Sequence, residues 1–279
     1  MEVQRWVLKV SLMKNQIREM RDKRKALAEE LGFLDASLWL GPPEDFPNAK
    51  EMSFAELKNA AEKYFIRGGL VSHWYGKSVS AQESNRQLLK AVPKNDAKFH
   101  AVWTGLPLFP REQGPLPGQS GMPANVKAVR VFPKTNRFLL DKFVMEGLCG
   151  FLIGRRMPLF IWHTELDWKE FYAFAGDFPD LKIIVESQPQ KILYHMRSLM
   201  PLMRSRQNVL LEISNFAGLD YLEYGVRTLG AERFIFGSFL PVNDPLAPVG
   251  MILDADISLA DKRAVAGGNL KRIMEGVKS

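Results

Sequence analysis

Pro158-Leu159-Phe160-Ile161-Trp162-His163, a mixed stretch over residues 164–180, then Leu181-Lys182-Ile183-Ile184-Val185-Glu186: this segment decides the fold. Each flank is a short, nearly continuous apolar run, the pattern of a strand covered on both faces. Between them Leu166–Ala175 reads as a helix. Two such strands joined by a helix form a βαβ unit, and such units build parallel sheets.

The pattern repeats in both directions. Upstream lie the runs Gly32–Ser37, Gly69–His73, Lys98–Trp103 and Val126–Phe132, and downstream Asn208–Ser214 and Arg233–Ser238, which makes eight. Helical stretches separate most of them: Phe54–Ile66, Ala81–Ala91, Phe138–Arg155, Gln190–Arg204 and Leu219–Leu229, with Leu259–Met274 after the last run. Eight strand–helix units in 279 residues predict an α/β chain closed into a (β/α)₈ TIM barrel. Met13–Leu31 reads as an extra helix ahead of the first strand, packed on the barrel's bottom or on a second subunit. The expected organisation is a helical extension over residues 1–31 and a barrel domain over 32–279. One connection breaks the pattern. Leu106–Asn125 holds Pro107, Pro110, Pro115, Pro117 and Pro123 with Gly114, Gly118 and Gly121, and reads as a functional lid or a mobile segment.

Composition narrows the function classes. Lys and Arg total 38 against 31 Asp and Glu, a net charge of +7. The most basic segment, Lys14, Arg18, Arg21, Lys23, Arg24 and Lys25, reads as a solvated helix face, and no aromatic-interleaved basic stripe or nucleic-acid motif accompanies it. No membrane span or secretory signal is legible, so a cytoplasmic protein with a small-molecule ligand is expected, with self-association left open. The single cysteine, Cys149, excludes an intrachain disulfide and reads as a small core residue.

In a (β/α)₈ barrel the chemistry sits at the carboxyl ends of the strands. That rule selects Ser37 and Trp39, His73, Trp103 and Thr104, Lys134, His163 and Glu165, Glu186 and Ser187, Asn215, and the segment Ser238–Asp244. His73 and His163 carry imidazoles suited to base or ligand roles, with functional and structural readings level. Glu165 and Glu186 are candidate acid–base carboxylates. Thr164 and Asp167 read as caps of the following helix. Lys134 could draw an anion, or simply face solvent. His100 reads as a hydrogen-bonded interior residue and His195 as an exposed helical one.

At these strand ends the chain resembles the amidohydrolase-related family of TIM-barrel hydrolases and decarboxylases, from about Phe33 to Met274. The segments that carry the likeness are Leu34-Asp35-Ala36-Ser37-Leu38-Trp39-Leu40-Gly41, Pro158–Thr164, Phe178–Val185, Arg233–Ser238 and Gly268-Asn269-Leu270. The resemblance implies His-x-His after the first strand, one His after each of the fifth and sixth, and an Asp after the eighth. Here those positions hold Ser37 and Trp39, His163, Ser187 and Phe239, so only His163 matches. Serine is a poor metal ligand, and Trp and Phe are none. A divalent metal is therefore not supported by the ligand positions, and no cofactor is expected. The resemblance implies a small-molecule hydrolase without the standard metal centre, with a non-catalytic ligand-binding or structural relative as the alternative. Catalysis would rest on His163, His73, Glu165 and Glu186, and substrate contacts on Ser37, Trp39, Lys134, Ser187 and Phe239.

Overall fold

The computed structural model describes residues 2–43, 45–107 and 122–278. Eight strands, Phe33–Leu40 (β1), Ile66–His73 (β2), Phe99–Thr104 (β3), Val126–Val131 (β4), Leu159–Trp162 (β5), Ile183–Glu186 (β6), Val209–Glu212 (β7) and Phe234–Ile235 (β8), lie side by side in sequence order. Every neighbouring pair is parallel. The seam between β8 and β1 is closed by Ala36 N–H donating to the Phe236 carbonyl at 3.0 Å and Trp39 N–H to that of Leu240 at 2.9 Å. Asp35 reinforces the seam. One of its carboxylate oxygens accepts from Ser37 N–H at 2.8 Å and from Ser238 N–H at 3.0 Å, two donors that the short β8 ladder leaves without backbone partners. The chain is a (β/α)₈ barrel.

Alternation along each strand divides the core. In β5, Leu159 and Ile161 join the large outer core beneath the helices, while Phe160 packs inside the barrel. Each strand sends one residue to this inner cluster: Ala36, Leu70, Val102, Ala128, Phe160, Ile184, Leu210 and Ile235. Leu270, Ile273 and Met274 of the helix Asn269–Gly276 join it and close the barrel from its amino-terminal end.

The helices follow the expected order with corrected bounds. Phe54–Glu62 starts at a capping box between Ser53 and Glu56, and Ala81–Ala91 is capped by Ser80. Lys142–Arg155 begins four residues later than the apolar pattern suggested, at the N-cap Asp141. Cys149 is buried in that helix, and burial pushes its thiol up to about 12. Thr164 does not cap the next helix. Residues His163–Glu165 first make a separate 3₁₀ turn, and Asp167 is the N-cap of Trp168–Asp177, accepting from Lys169 N–H at 2.9 Å and Glu170 N–H at 3.0 Å. The single helix expected over Leu259–Met274 is interrupted by a π-turn at Ala264–Gly268, whose Val265 carbonyl accepts from Phe236 N–H just after β8. Two helices were not anticipated, Tyr75–Ser78 and Leu246–Asp254.

The amino-terminal helix spans Glu2–Leu31. Its carboxyl end docks at the bottom of the barrel through buried Ala28, an Arg24–Asp254 ion pair at 2.9 Å, and a hydrogen bond from Arg67 to the Glu29 carbonyl. Residues 13–26, the basic segment included, are exposed. Among the described residues no helix is long and apolar enough to cross a membrane. Within the Pro/Gly-rich connection, residues 108–121, with Pro110, Gly114, Pro115, Pro117, Gly118 and Gly121, lie outside the described residues.

Candidate functional site

Above the apolar inner cluster the inward positions turn polar. Arg130 of β4, Glu186 of β6 and Glu212 of β7 are buried there, and Glu186 and Glu212 are register partners on adjacent strands. Arg130 donates from Nε to one Glu186 carboxylate oxygen at 2.8 Å and from Nη2 to the other at 2.6 Å. Its Nη1 bonds the Ser72 hydroxyl, and its guanidinium lies 4.4 Å from the Trp39 ring centroid. Among the described residues Glu212 has no ion-pair partner. It accepts from Ser214 N–H at 2.7 Å, Ser214 Oγ at 3.1 Å and Ser187 N–H at 3.2 Å.

The charge balance in this chamber is uneven. One arginine faces three fully buried carboxyls, those of Asp35, Glu186 and Glu212. Burial raises the carboxyl of Glu186, while Arg130 pulls it back. Glu212, desolvated and beside Glu186, is pushed up to about 8 and holds its proton at neutral pH. Asp35 is raised to about 6 by burial, against its hydrogen bonds from Ser238 and Ser37.

An aromatic layer covers the chamber. Trp39, Trp74, Phe132, Trp162 and Phe239 are each 2% exposed or less. Trp39 stacks on Trp74 at 4.4 Å, and Trp162 meets Trp39 at 5.6 Å, Phe132 at 5.4 Å and Phe239 at 5.9 Å. Trp39 Nε1–H donates to the Ser37 hydroxyl at 3.1 Å. Phe239 adopts φ 60°, a left-handed conformation that aromatic residues rarely take, within this packed cluster.

The residues singled out from the sequence separate into three groups. Glu186, Ser37, Trp39, Ser187 and Phe239 belong to the chamber and its cover. Ser37 and Trp39 stand inside β1, which runs on to Leu40 instead of ending before them. Ser187 bonds Glu212, and its hydroxyl accepts Asn215 N–H at 2.7 Å. A second group consists of struts. Glu165 accepts from Thr135 N–H at 2.9 Å and Thr135 Oγ1 at 2.6 Å, and Lys134 Nζ donates to the carbonyls of Thr164 and Leu166 at 3.0 and 2.8 Å. These bonds tie the loop after β4 to the turn after β5.

The two histidines form the third group, and neither bonds a chamber carboxylate. His163 sets Nδ1 on the Glu186 carbonyl at 3.1 Å and its ring 5.4 Å from that of His195, leaving its buried Nε2 without a partner. His73 Nδ1 accepts from Tyr75 N–H at 3.3 Å. Burial holds both near 4, so both are neutral at physiological pH. His195 is half-buried at the end of a 3₁₀ turn, and accepts from Trp168 Nε1 at 3.2 Å. His100 is half-buried near the start of β3, and its Nδ1 has no hydrogen-bond partner, contrary to the expected bonded interior role.

Asp35, Arg130, Glu212, Gln188 and Ser214 were not anticipated. The alternation Ala128, Arg130, Phe132 along β4 and one residue past it is the signal that could have found the arginine.

These donors do not fit a divalent metal. At the mapped ligand positions Trp39 and Phe239 present rings. The Ser37 hydroxyl takes N–H groups of Trp39 and Gln188, and Ser187 is engaged with Glu212 and Asn215. Among the described residues no group of three or more His, Cys, Asp or Glu could hold a metal ion.

No protein-family profile matches the chain, and no curated protein matches it. Solved structures do. An uncharacterised TIM-barrel protein from Bordetella bronchiseptica shares 17% identity over 94% of this chain and 92% of that one, with a TM-score of 0.61. An amidohydrolase from Burkholderia multivorans with bound zinc shares 13% over 87% and 99%, with a TM-score of 0.65. A dihydroxybenzoic acid decarboxylase from Polaromonas, with bound manganese and 2-nitroresorcinol, shares 13% over 88% and 97%, with a TM-score of 0.63. At these identities the likeness is one of fold, and the chain has the (β/α)₈ fold of amidohydrolases and decarboxylases.

Proposed function

We propose that this barrel descends from the amidohydrolase-type enzymes and has given up metal-assisted hydrolysis, its former catalytic mouth now being a packed structural element. One observation carries the reading. Trp39 occupies a ligand position, yet its ring is stacked on Trp74, capped by the Arg130 guanidinium and wholly buried. A metal-bound hydroxide needs several donor groups and an open coordination position, and here aromatic carbon fills that space. A cytoplasmic setting belongs to the same proposal, supported by the lone buried thiol.

A second reading, metal-free hydrolysis of a small molecule, draws support from Glu212. A carboxylic acid protonated near neutral pH beside an ionised carboxylate is an arrangement that acid–base enzymes use. The unpartnered buried atoms Asp35 Oδ2 and Gln188 Oε1 add to it.

A panel of aryl esters, lactones and amides, assayed with EDTA and with added zinc or manganese, separates the readings. The proposal predicts no turnover above buffer under any condition. Turnover abolished by EDTA would overturn it. Turnover indifferent to EDTA and lost in Glu212→Gln would replace it with the second reading.

A further inference from the structure

The opposite end of the barrel carries a feature that the mouth does not explain. At the amino-terminal ends of β1–β4 a cavity of about 460 Å³ is lined by Leu34, Arg67, Lys98, His100, Lys127, Lys271, Ala97, Met274 and Glu275. Leu34, Arg67, His100 and Lys127 are the second residues of four successive strands, so the barrel's own register gathers them. Four cationic side chains face one carboxylate. Glu275 sits 3.8 Å from Lys271, while Lys98 and Lys127 have no ion-pair partner among the described residues. His100 presents a buried Nδ1 with no hydrogen-bond partner.

With four cations and one carboxylate the lining carries a surplus of positive charge, which attracts an anion. The volume lies in the range of small-molecule sites, roughly 300–1,000 Å³. The lining is divided, with cations and an imidazole on one part and Leu34, Met274 and Ala97 on the other. A lysine is a point-charge phosphate binder, and a guanidinium adds a planar fork. We propose that this cavity binds a phosphate monoester of a small organic molecule, its phosphate held by Lys98, Lys127, Lys271 and Arg67 beside His100, and its organic part resting on Leu34 and Met274. The site lies away from the carboxyl-end chamber and is independent of what that chamber does.

The test uses the full chain with its histidine rings isotopically labelled and the His100 signal assigned through His100→Gln. Phenyl phosphate, inorganic phosphate and phenol are each titrated at constant ionic strength. The expected result is a saturable shift of the His100 signal with phenyl phosphate, weaker binding of inorganic phosphate, and no saturation with phenol. Lys98→Gln and Lys127→Gln should each weaken phenyl phosphate by about tenfold, the change implied by losing one charge-assisted hydrogen bond. Lys169→Gln, on a distant exposed helix face, should leave the affinity unchanged. No saturable shift, or equal affinity in Lys98→Gln, Lys127→Gln and the parent, would overturn the site. Phenyl phosphate binding no tighter than inorganic phosphate would overturn the monoester assignment.

Discussion

Arg130 grips Glu186 through two parallel hydrogen bonds of 2.8 and 2.6 Å at the centre of the barrel, with both side chains withdrawn from water. Removing one member of a buried pair strands the other's charge, which costs about 3–5 kcal/mol, whereas replacing both by apolar groups is often neutral. Arg130→Met should therefore lower unfolding stability by that amount in urea titrations. Arg130→Met/Glu186→Leu should recover most of the loss. A double variant as unstable as the single one would show that the pair is not the energetic unit.

Glu212 makes stability fall as pH rises. Its carboxyl goes from an ordinary 4.5 to about 8 on folding, so between those values the folded state binds more protons than the unfolded one. Its stabilisation is complete below 4.5 and lost as pH climbs through 8. His73 and His163 act in the opposite sense. Lowered from 6.5 to about 4, they lose stability as pH falls through that window. Asp35, raised from 3.8 to about 6, opposes them at the acid end. The window from 6.5 to 8 thus belongs mainly to Glu212, and over it stability should drop by roughly 2 kcal/mol. Glu212→Gln should flatten that limb in denaturation measured across pH. An unchanged slope in the variant would place the proton elsewhere.

The aromatic cover predicts its own rescue. Trp39→Ala should cost about 3–5 kcal/mol, the range for deleting a large buried ring. The space left between Trp74, Trp162 and Arg130 should accept indole. Thermal melts of Trp39→Ala with and without indole should show a gain that the parent protein lacks. Equal response of the two proteins would mean that the layer collapses on truncation or that Trp39 does not fill the mouth.

Much of this architecture is legible in the residues because parallel strands are buried on both faces, and Pro158–His163 or Leu181–Glu186 can hardly be read otherwise. The carboxyl-terminal side of the strands is also legible, so Ser37, Trp39, Glu186, Ser187 and Phe239 fall in the chamber or its cover, although β1 runs on past Ser37 and Trp39 to Leu40. Partners are not. Lys134 and Glu165 sit where catalysis is expected, but three-dimensional proximity gives them backbone groups and Thr135 to hold. Arg130 and Glu212 escape notice for the converse reason. A charge within an apolar strand is informative only once its phase relative to Ala128, Phe160 or Leu210 places it inside the barrel. His163 shows the same limit. It lies one residue past Trp162, and it is Trp162, in phase with Phe160, that occupies the barrel mouth.

The side chains at this mouth cannot seat a divalent cation. Elemental analysis of the purified chain, expressed in medium supplemented with zinc and manganese and desalted without chelator, tests it most directly. The expected result is transition metal far below one equivalent per chain and an unchanged melting temperature after EDTA. One tightly held equivalent, whose removal by EDTA lowers the melting temperature and whose retention is lost in Glu186→Gln or His163→Ala, would contradict it.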